Sequence, residues 1–271
     1  MIIAECCQNH NGNLEILRDM VFNAAEAGVD FVKIQSFFAD DLADQSNVEE
    51  LARLKKLELS WDDHVRFVDW CKQAGVLPMT SVYTSRDLNK LKEIGFDHIK
   101  IGSAQASNSQ LIKDCLPRFQ VLVSTGGQRL NELDWDVLAG VFSVLHCVSH
   151  YPALPNQANL WRINEIRNTL GFNKVGFSDH TDPALHGWEL PSKIALFLGA
   201  NVIERHFTIL PRGKTKDGNV SLDFAQLSDL CKFAKLDLDG KREELGLWSM
   251  LRSKQDDFEL VEKYKGRWKE V

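Results

Sequence analysis

Eight times between residue 2 and about residue 236, a short apolar run gives way to a longer segment whose apolar residues recur every three to four positions. The runs are Ile2–Cys6, Phe31–Phe37, Val76–Val82, His98–Ser103, Val121–Thr125, Ser143–Ser149, Lys174–His180 and Val202–Thr208. Each is apolar nearly throughout rather than alternating, the pattern of a strand buried on both faces in a parallel sheet. The first intervening segment places Leu14, Leu17, Val21, Ala24 and Ala25 on one face, with Asn13 to cap it and Gly28 to stop it. Helices are likewise predicted over Trp61–Ala74, Arg86–Ile94, Ser107–Cys115, Asn131–Ala139, Leu160–Leu170, Gly187–Leu198 and Asp223–Leu236. Eight strand–helix units predict an α/β chain folded as a (β/α)8 TIM barrel, which takes about 250 residues. An open doubly wound sheet is the less favoured alternative. The reading assigns residues 1–236 to one barrel domain. From residue 237 the chain turns polar, which predicts a C-terminal helical extension over 237–271 packed outside the barrel.

Charge and cysteine usage narrow the partners. The formal net charge of -6, with no dense basic stretch, argues against nucleic acid. No apolar run approaches the roughly 20 residues that span a bilayer, so no membrane partner is expected. "MIIAECCQNH" lacks the basic start of a secretion signal, and the six cysteines form no CxxC pair. They read as reduced thiols in a cytoplasmic protein.

In a barrel of this kind the C-terminal strand ends converge on one mouth, where active sites sit. The strand ends here carry Glu5, Asn9, His10, Lys33, Gln35, Thr80, Ser81, Lys100 and Ser103 from the first four units. The other four supply Ser124, His146, Ser149, Tyr151, Ser178, His180, Glu204 and His206. Buried lysines and glutamates are rare unless paired or liganded, because desolvating a charge is costly. Lys33 and Lys100 either form salt bridges with Glu5 or Glu204 inside the barrel, or hold an anionic substrate such as a phosphate. In the second case the hydroxyls of Ser81, Ser103, Ser124 and Ser178 would assist. A lone histidine at a strand end is usually structural, and His64, His98 and His186 are read so. His180 and His206 end adjacent strands of one face, where two imidazoles can converge on a shared divalent metal. "STGG" at 124–127 supplies small residues that let backbone N–H groups approach an oxyanion.

Taken in order, "AECCQNHNG", "VKIQSF", "HIKIGSAQASN", "VSTGG", "LHCVSHYP", "GFSDHT" and "VIERHFT" resemble the successive motifs of the N-acetylneuraminate (sialic acid) synthase family. The resemblance runs from residue 2 to about 222. It implies condensation of phosphoenolpyruvate with N-acetylmannosamine or a related aldose, giving a 2-keto-3-deoxy sugar acid and phosphate. It further implies that His180 and His206 ligate a divalent metal, typically Mn²⁺. Phosphoenolpyruvate contacts fall on Lys33, Lys100, Ser103, Ser124 and Ser178, while Gln35, Ser81, Ser149 and Tyr151 line the same pocket. Glu5 matches a glutamate near metal-bound water, Glu204 a residue facing the sugar, and Asp217 an aspartate near the metal and the acceptor.

There are departures. The usual member continues into an antifreeze-like domain that reaches across a dimer and sets an arginine on the sugar's N-acyl group. The residues after 237 show no match to it. A homo-oligomer is compatible with the resemblance, and selection of the acceptor is expected to fall to the barrel's own loops, to the C-terminal tail or to another polypeptide. Arg212, Lys214 and Lys216 are the nearest substitutes, unless they form only a solvated basic loop. "KTKD" replaces the family's "PGPD", and "TSVY" its "STPF". Two alternatives stay open: another metal-dependent sugar-phosphate aldolase or isomerase, and a non-catalytic barrel regulating surface-sugar synthesis.

Overall fold

Asn13 and Gly28 bracket the first helix as their chemistry requires. The Asn13 side chain accepts from the Glu15 and Ile16 amides, and Gly28 adopts φ 99° to close the far end. The computed structural model describes residues 1–44, 46–170 and 175–246. Within them lie β1 (Ile2–Glu5), α1 (Leu14–Ala27), β2 (Phe31–Gln35), α2 (Ala39–Leu42), α3 (Val48–Lys55), α4 (Trp61–Ala74), β3 (Leu77–Val82), α5 (Leu88–Ile94) and β4 (His98–Ile101). They continue with α6 (Ser109–Cys115), β5 (Gln120–Ser124), α7 (Trp135–Leu138), β6 (Ser143–Cys147), α8 (Trp161–Leu170), β7 (Val175–Asp179), α9 (Leu190–Phe197), β8 (Val202–His206), α10 (Phe224–Lys235) and α11 (Leu238–Glu244). The eight strands are parallel, pair in sequence order and close on themselves through β1 and β8. This is the expected (β/α)8 barrel.

The barrel interior is layered by strand periodicity. Ile3, Phe31, Met79, Leu122, Leu145 and Val202 form an apolar floor. Side chains on a strand alternate between faces, so the next inward position lies two residues on. On five of these six strands that position is Glu5, Lys33, Ser81, Ser124 or Glu204, and on β6 it is Cys147. On β7 the floor position is Gly176, where a Cβ would run into the Val202 carbonyl and Leu145. The outward-facing residues, including Ala4, Val32, Ile99, Val121 and Ile203, pack against the surrounding helices in a larger apolar cluster.

Several boundaries differ from the sequence expectation. α7 is shorter than Asn131–Ala139, because the Asp134 carboxylate accepts from the Val137 amide and starts the helix there. α9 starts at Leu190 rather than Gly187, whose φ of 76° is left-handed and non-helical. Lys174, expected to begin the seventh strand, lies outside the described residues. The insertion of α2 and α3 between β2 and α4 was not anticipated. Both helices are short and polar, held by a small cluster of Phe37, Ala39, Leu54 and Leu57. α11 docks on the barrel exterior, where Lys193 pairs with Glu244 at 2.6 Å and Asp229 at 2.8 Å. Residues 247–271 of the expected extension lie outside the described residues.

Candidate active site

Glu5 and Lys33 are register partners on β1 and β2 and form an ion pair. Lys33 Nζ also donates to Ser81 Oγ at 2.7 Å and lies 3.5 Å from Glu204 Oε2. Lys100 Nζ donates to Glu204 Oε1 at 2.7 Å, and Ser178 Oγ donates to the same oxygen at 2.9 Å. Two cations and two anions therefore share one buried cluster, so the lysines are salt-bridged in this state. Burial, aided by the charge of Lys100, outweighs the attraction of Glu204 and pushes Lys33 down to about 7. Burial works in the opposite direction on Glu204, but Lys100 and Lys33 more than offset it and hold that carboxyl well below the usual range.

The two imidazoles predicted to converge do so, with ring centroids 5.2 Å apart. His180 Nδ1 lies 2.9 Å from the Val148 carbonyl, which assigns its proton there and leaves Nε2 to accept from the Tyr151 hydroxyl at 2.7 Å. Tyr151 stacks on the His180 ring at 4.0 Å. Burial pushes His206 down to about 3, so it is neutral near pH 7, the form that ligates metals. Its Nδ1 is buried without a hydrogen-bond partner, and Asp217 Oδ2 lies 3.8 Å away. Donor atoms of Cys7, His206 and Asp217 all lie within 4.8 Å of one another. An orphaned imidazole nitrogen beside a carboxylate and a thiol fits a divalent cation.

Asp217 reaches the mouth from the loop after β8. Asn9 fixes that loop by donating to the Phe207 carbonyl and to Ser221 Oγ, both at 2.9 Å, and Ser221 Oγ donates to the Asp217 carbonyl at 2.7 Å. Across the mouth, the Gly126 amide donates to Ser103 Oγ at 3.0 Å. A Cβ at Gly126 would collide with Ser103, Cys147 and Ser149, so the packing of these side chains requires glycine there. Ser124 Oγ is buried without a partner.

A cavity of about 500 Å³ occupies the mouth. It is lined by Glu5, Lys33, Gln35, Ser81, Lys100, Ser103 and Ser124, and by Tyr151, Ser178, His180, Glu204, His206 and Asp217. Ser149 does not line it; this residue is exposed, with its hydroxyl over Gly126. Asn9, His10, Thr80 and His146 are buried but turned elsewhere, and His146 bonds the Ala158 carbonyl at 2.7 Å. Of the basic loop, Lys216 lines the cavity, whereas Arg212 is clamped onto Asp182 by bonds of 2.6 and 2.8 Å. His64 is bonded to Ser36 and the Ser60 carbonyl and does not line this cavity.

Arg53, Cys147 and Cys7 are among the contributors that sequence reasoning missed. Arg53 of α3 lines the cavity while bonded to Glu50 and Gln8. Cys147 places Sγ 3.7 Å from His180 Nδ1. Cys7 approaches His206 and Asp217, and only its place between Glu5 and His10 in "ECCQNH" hinted at this.

The closed barrel and its mouth of paired lysines, carboxylates and imidazoles define a TIM-barrel enzyme. The chain belongs to the NeuB family, whose model matches residues 20–236. It is 31% identical over 253 residues to an N,N'-diacetyllegionaminic acid synthase of Campylobacter jejuni, covering 85% of this chain and 74% of that protein. It is 30% identical to an N-acetylneuraminate-9-phosphate synthase of Drosophila melanogaster, covering 84% of this chain and 65% of that one. Its fold superposes with a TM-score of 0.79 and 25% identity on the N-acetylneuraminic acid synthetase of Leptospira borgpetersenii in complex with citrate, covering 100% of this chain and 92% of that one. The chain is an enzyme of the synthase class these relatives represent. Among the described residues no helix is long and apolar enough to cross a membrane.

Proposed function

We propose that this chain condenses phosphoenolpyruvate with an aldose, N-acetylmannosamine or a related sugar, to give a nonulosonic-type 2-keto-3-deoxy sugar acid and phosphate. The observation that carries the reading is the buried Lys33–Glu5–Glu204–Lys100 cluster beside the His180–His206 pair. Cations desolvated to this degree are suited to a small, densely charged anion. The reaction is assigned to the barrel, residues 1–236, with the segment from 237 outside it. Six buried cysteines, all free thiols, support a reducing, cytoplasmic setting.

Lys33 and Lys100 neutralise the phosphate and carboxylate of phosphoenolpyruvate, with Ser103, Ser124 and Ser178 donating to their oxygens. Gln35, Ser81 and Tyr151 complete that end of the pocket. C3 of the enol attacks the acceptor's carbonyl carbon. His180 and His206 would hold a divalent cation, Mn²⁺ by the family resemblance, which would supply Lewis-acid polarisation of that carbonyl. Positive character left at C2 is captured by water, whose proton passes to Glu5 or Asp217. Expulsion of phosphate then leaves the keto group. Glu204 faces the sugar while holding Lys100. Incubation with Mn²⁺, phosphoenolpyruvate and a panel of aldoses, with released phosphate measured, tests the reading. Phosphate release that needs both an aldose and the cation is expected, and none with any aldose would overturn it.

A further inference from the structure

The turn after β1 brings a thiol to the mouth that the two-imidazole reading leaves without a role. Cys7 is 1% exposed and sits at φ 38°, in the left-handed region that residues other than glycine seldom adopt. Its amide donates to Glu5 Oε1 at 2.6 Å, so the carboxylate that pairs with Lys33 also fixes this turn. The result places Sγ in one group with a His206 ring nitrogen and an Asp217 carboxylate oxygen, all within 4.8 Å of one another.

Three independent segments supply these donors: the β1 turn, the end of β8, and the loop that Asn9 and Ser221 hold in place. His206 Nδ1 is buried and unpaired beside them, a polar atom that lacks the partner burial demands. Metal–ligand bonds of about 2.0–2.3 Å set donors ~3–4 Å apart, so donor atoms within 4.8 Å of one another need draw in only slightly to share one ion. His180 stands next to it as a further donor, its Nε2 already an acceptor toward the Tyr151 hydroxyl.

We propose that Cys7 is a ligand of the cation held at His206 and Asp217, and that its thiolate turns the site away from Mn²⁺ toward a thiophilic cation such as Co²⁺ or Zn²⁺. Carboxylate and water sites suit Mn²⁺, whereas a soft sulfur donor favours the later metals. On binding, the Cys7 thiol gives its proton to solvent and its sulfur lone pair to the metal. The inference rests on the reading that a divalent cation serves this mouth.

Titration of Co²⁺ into the metal-stripped full chain provides the test, with the near-ultraviolet sulfur-to-cobalt charge-transfer band as the readout. The wild type and Cys147→Ser are expected to show the band, since Cys147 lines the cavity but is not in the Cys7–His206–Asp217 group. Cys7→Ser and Cys7→Gly are expected to lose it and to bind Co²⁺ at least ~10-fold more weakly, on the scale of losing a supporting contact or more at a metal site. Glycine tolerates the positive φ, so it guards against a variant that merely fails to fold. Co²⁺ bound without the band, or a band that survives in both Cys7 variants, overturns the assignment of Cys7 and leaves the metal reading standing. Failure of the wild type to bind Co²⁺ at all overturns both.

Discussion

Asp179 and Arg205 face each other across the β7–β8 register and are ion-paired at 2.6 Å, with both side chains buried. Both point outward from the barrel, because their neighbours Ser178 and Glu204 point in. The Asp179 carboxylate also accepts from the Thr181 amide and hydroxyl and from Ser192, while Arg205 donates to the Thr181 carbonyl. Burial alone would push Asp179 up, but Arg205 and these hydrogen bonds more than offset it and hold the carboxyl below its ordinary range. The pair thus fixes the strand ends that carry His180 and His206.

Removing one partner of such a pair strands the other charge away from water. Arg205→Met and Asp179→Asn are each expected to destabilise the fold by about 3–5 kcal/mol in equilibrium denaturation at pH 7. A loss below about 1 kcal/mol in both would show that the pair is dispensable.

At the phosphoenolpyruvate end, Lys33→Met and Lys100→Met should each weaken binding by at least ~2 kcal/mol, the cost of losing a partner of a desolvated charge pair. Lys100→Met also leaves Glu204 with only Ser178 and the more distant Lys33. Calorimetry that finds unchanged affinity in both variants would move the phosphate elsewhere.

Lys33 makes that binding dependent on pH. Its value of about 7 leaves it largely neutral above that pH in the free protein, and an anion must restore its proton. Binding at pH 8 should therefore take up about one proton, and affinity should fall by up to about tenfold per pH unit above 7. Calorimetry in two buffers of different ionisation heat reads the uptake, which should vanish in Lys33→Met. Equal uptake in the variant would assign the proton to another group.

For the cation, His180→Ala and His206→Ala should each abolish metal-dependent turnover, because a site with few fixed ligands cannot lose an imidazole. Normal Mn²⁺ binding together with wild-type activity in both would end the shared-metal reading.

Selection of the acceptor should divide the basic loop. Lys216 lines the cavity, so Lys216→Ala is expected to raise KM for the aldose about 10-fold with kcat little changed, as for lost uniform binding. Arg212 is held by Asp182, so Arg212→Ala should leave that KM within about twofold. The reverse pattern would put Arg212 on the sugar.

By itself the sequence determined the eight strand–helix units and hence the strand ends that meet at one mouth. Continuous apolar runs and helical spacing are local properties, and a parallel barrel turns them directly into position. That is why Lys33, Lys100, Glu204, His180 and His206 were all legible as candidates, as was the alternative that the lysines pair with the glutamates. Tertiary structure decided what the loops do. Cys7 meets Asp217, more than two hundred residues away in the chain, because a left-handed turn at Cys7 and the Asn9–Ser221 bond bring the two loops together. Arg212 is consumed by Asp182, Arg53 enters on an inserted polar helix, and Ser149 is left outside the cavity. None of these follows from periodicity, since loop conformation rests on single hydrogen bonds and backbone angles between segments that the sequence keeps far apart.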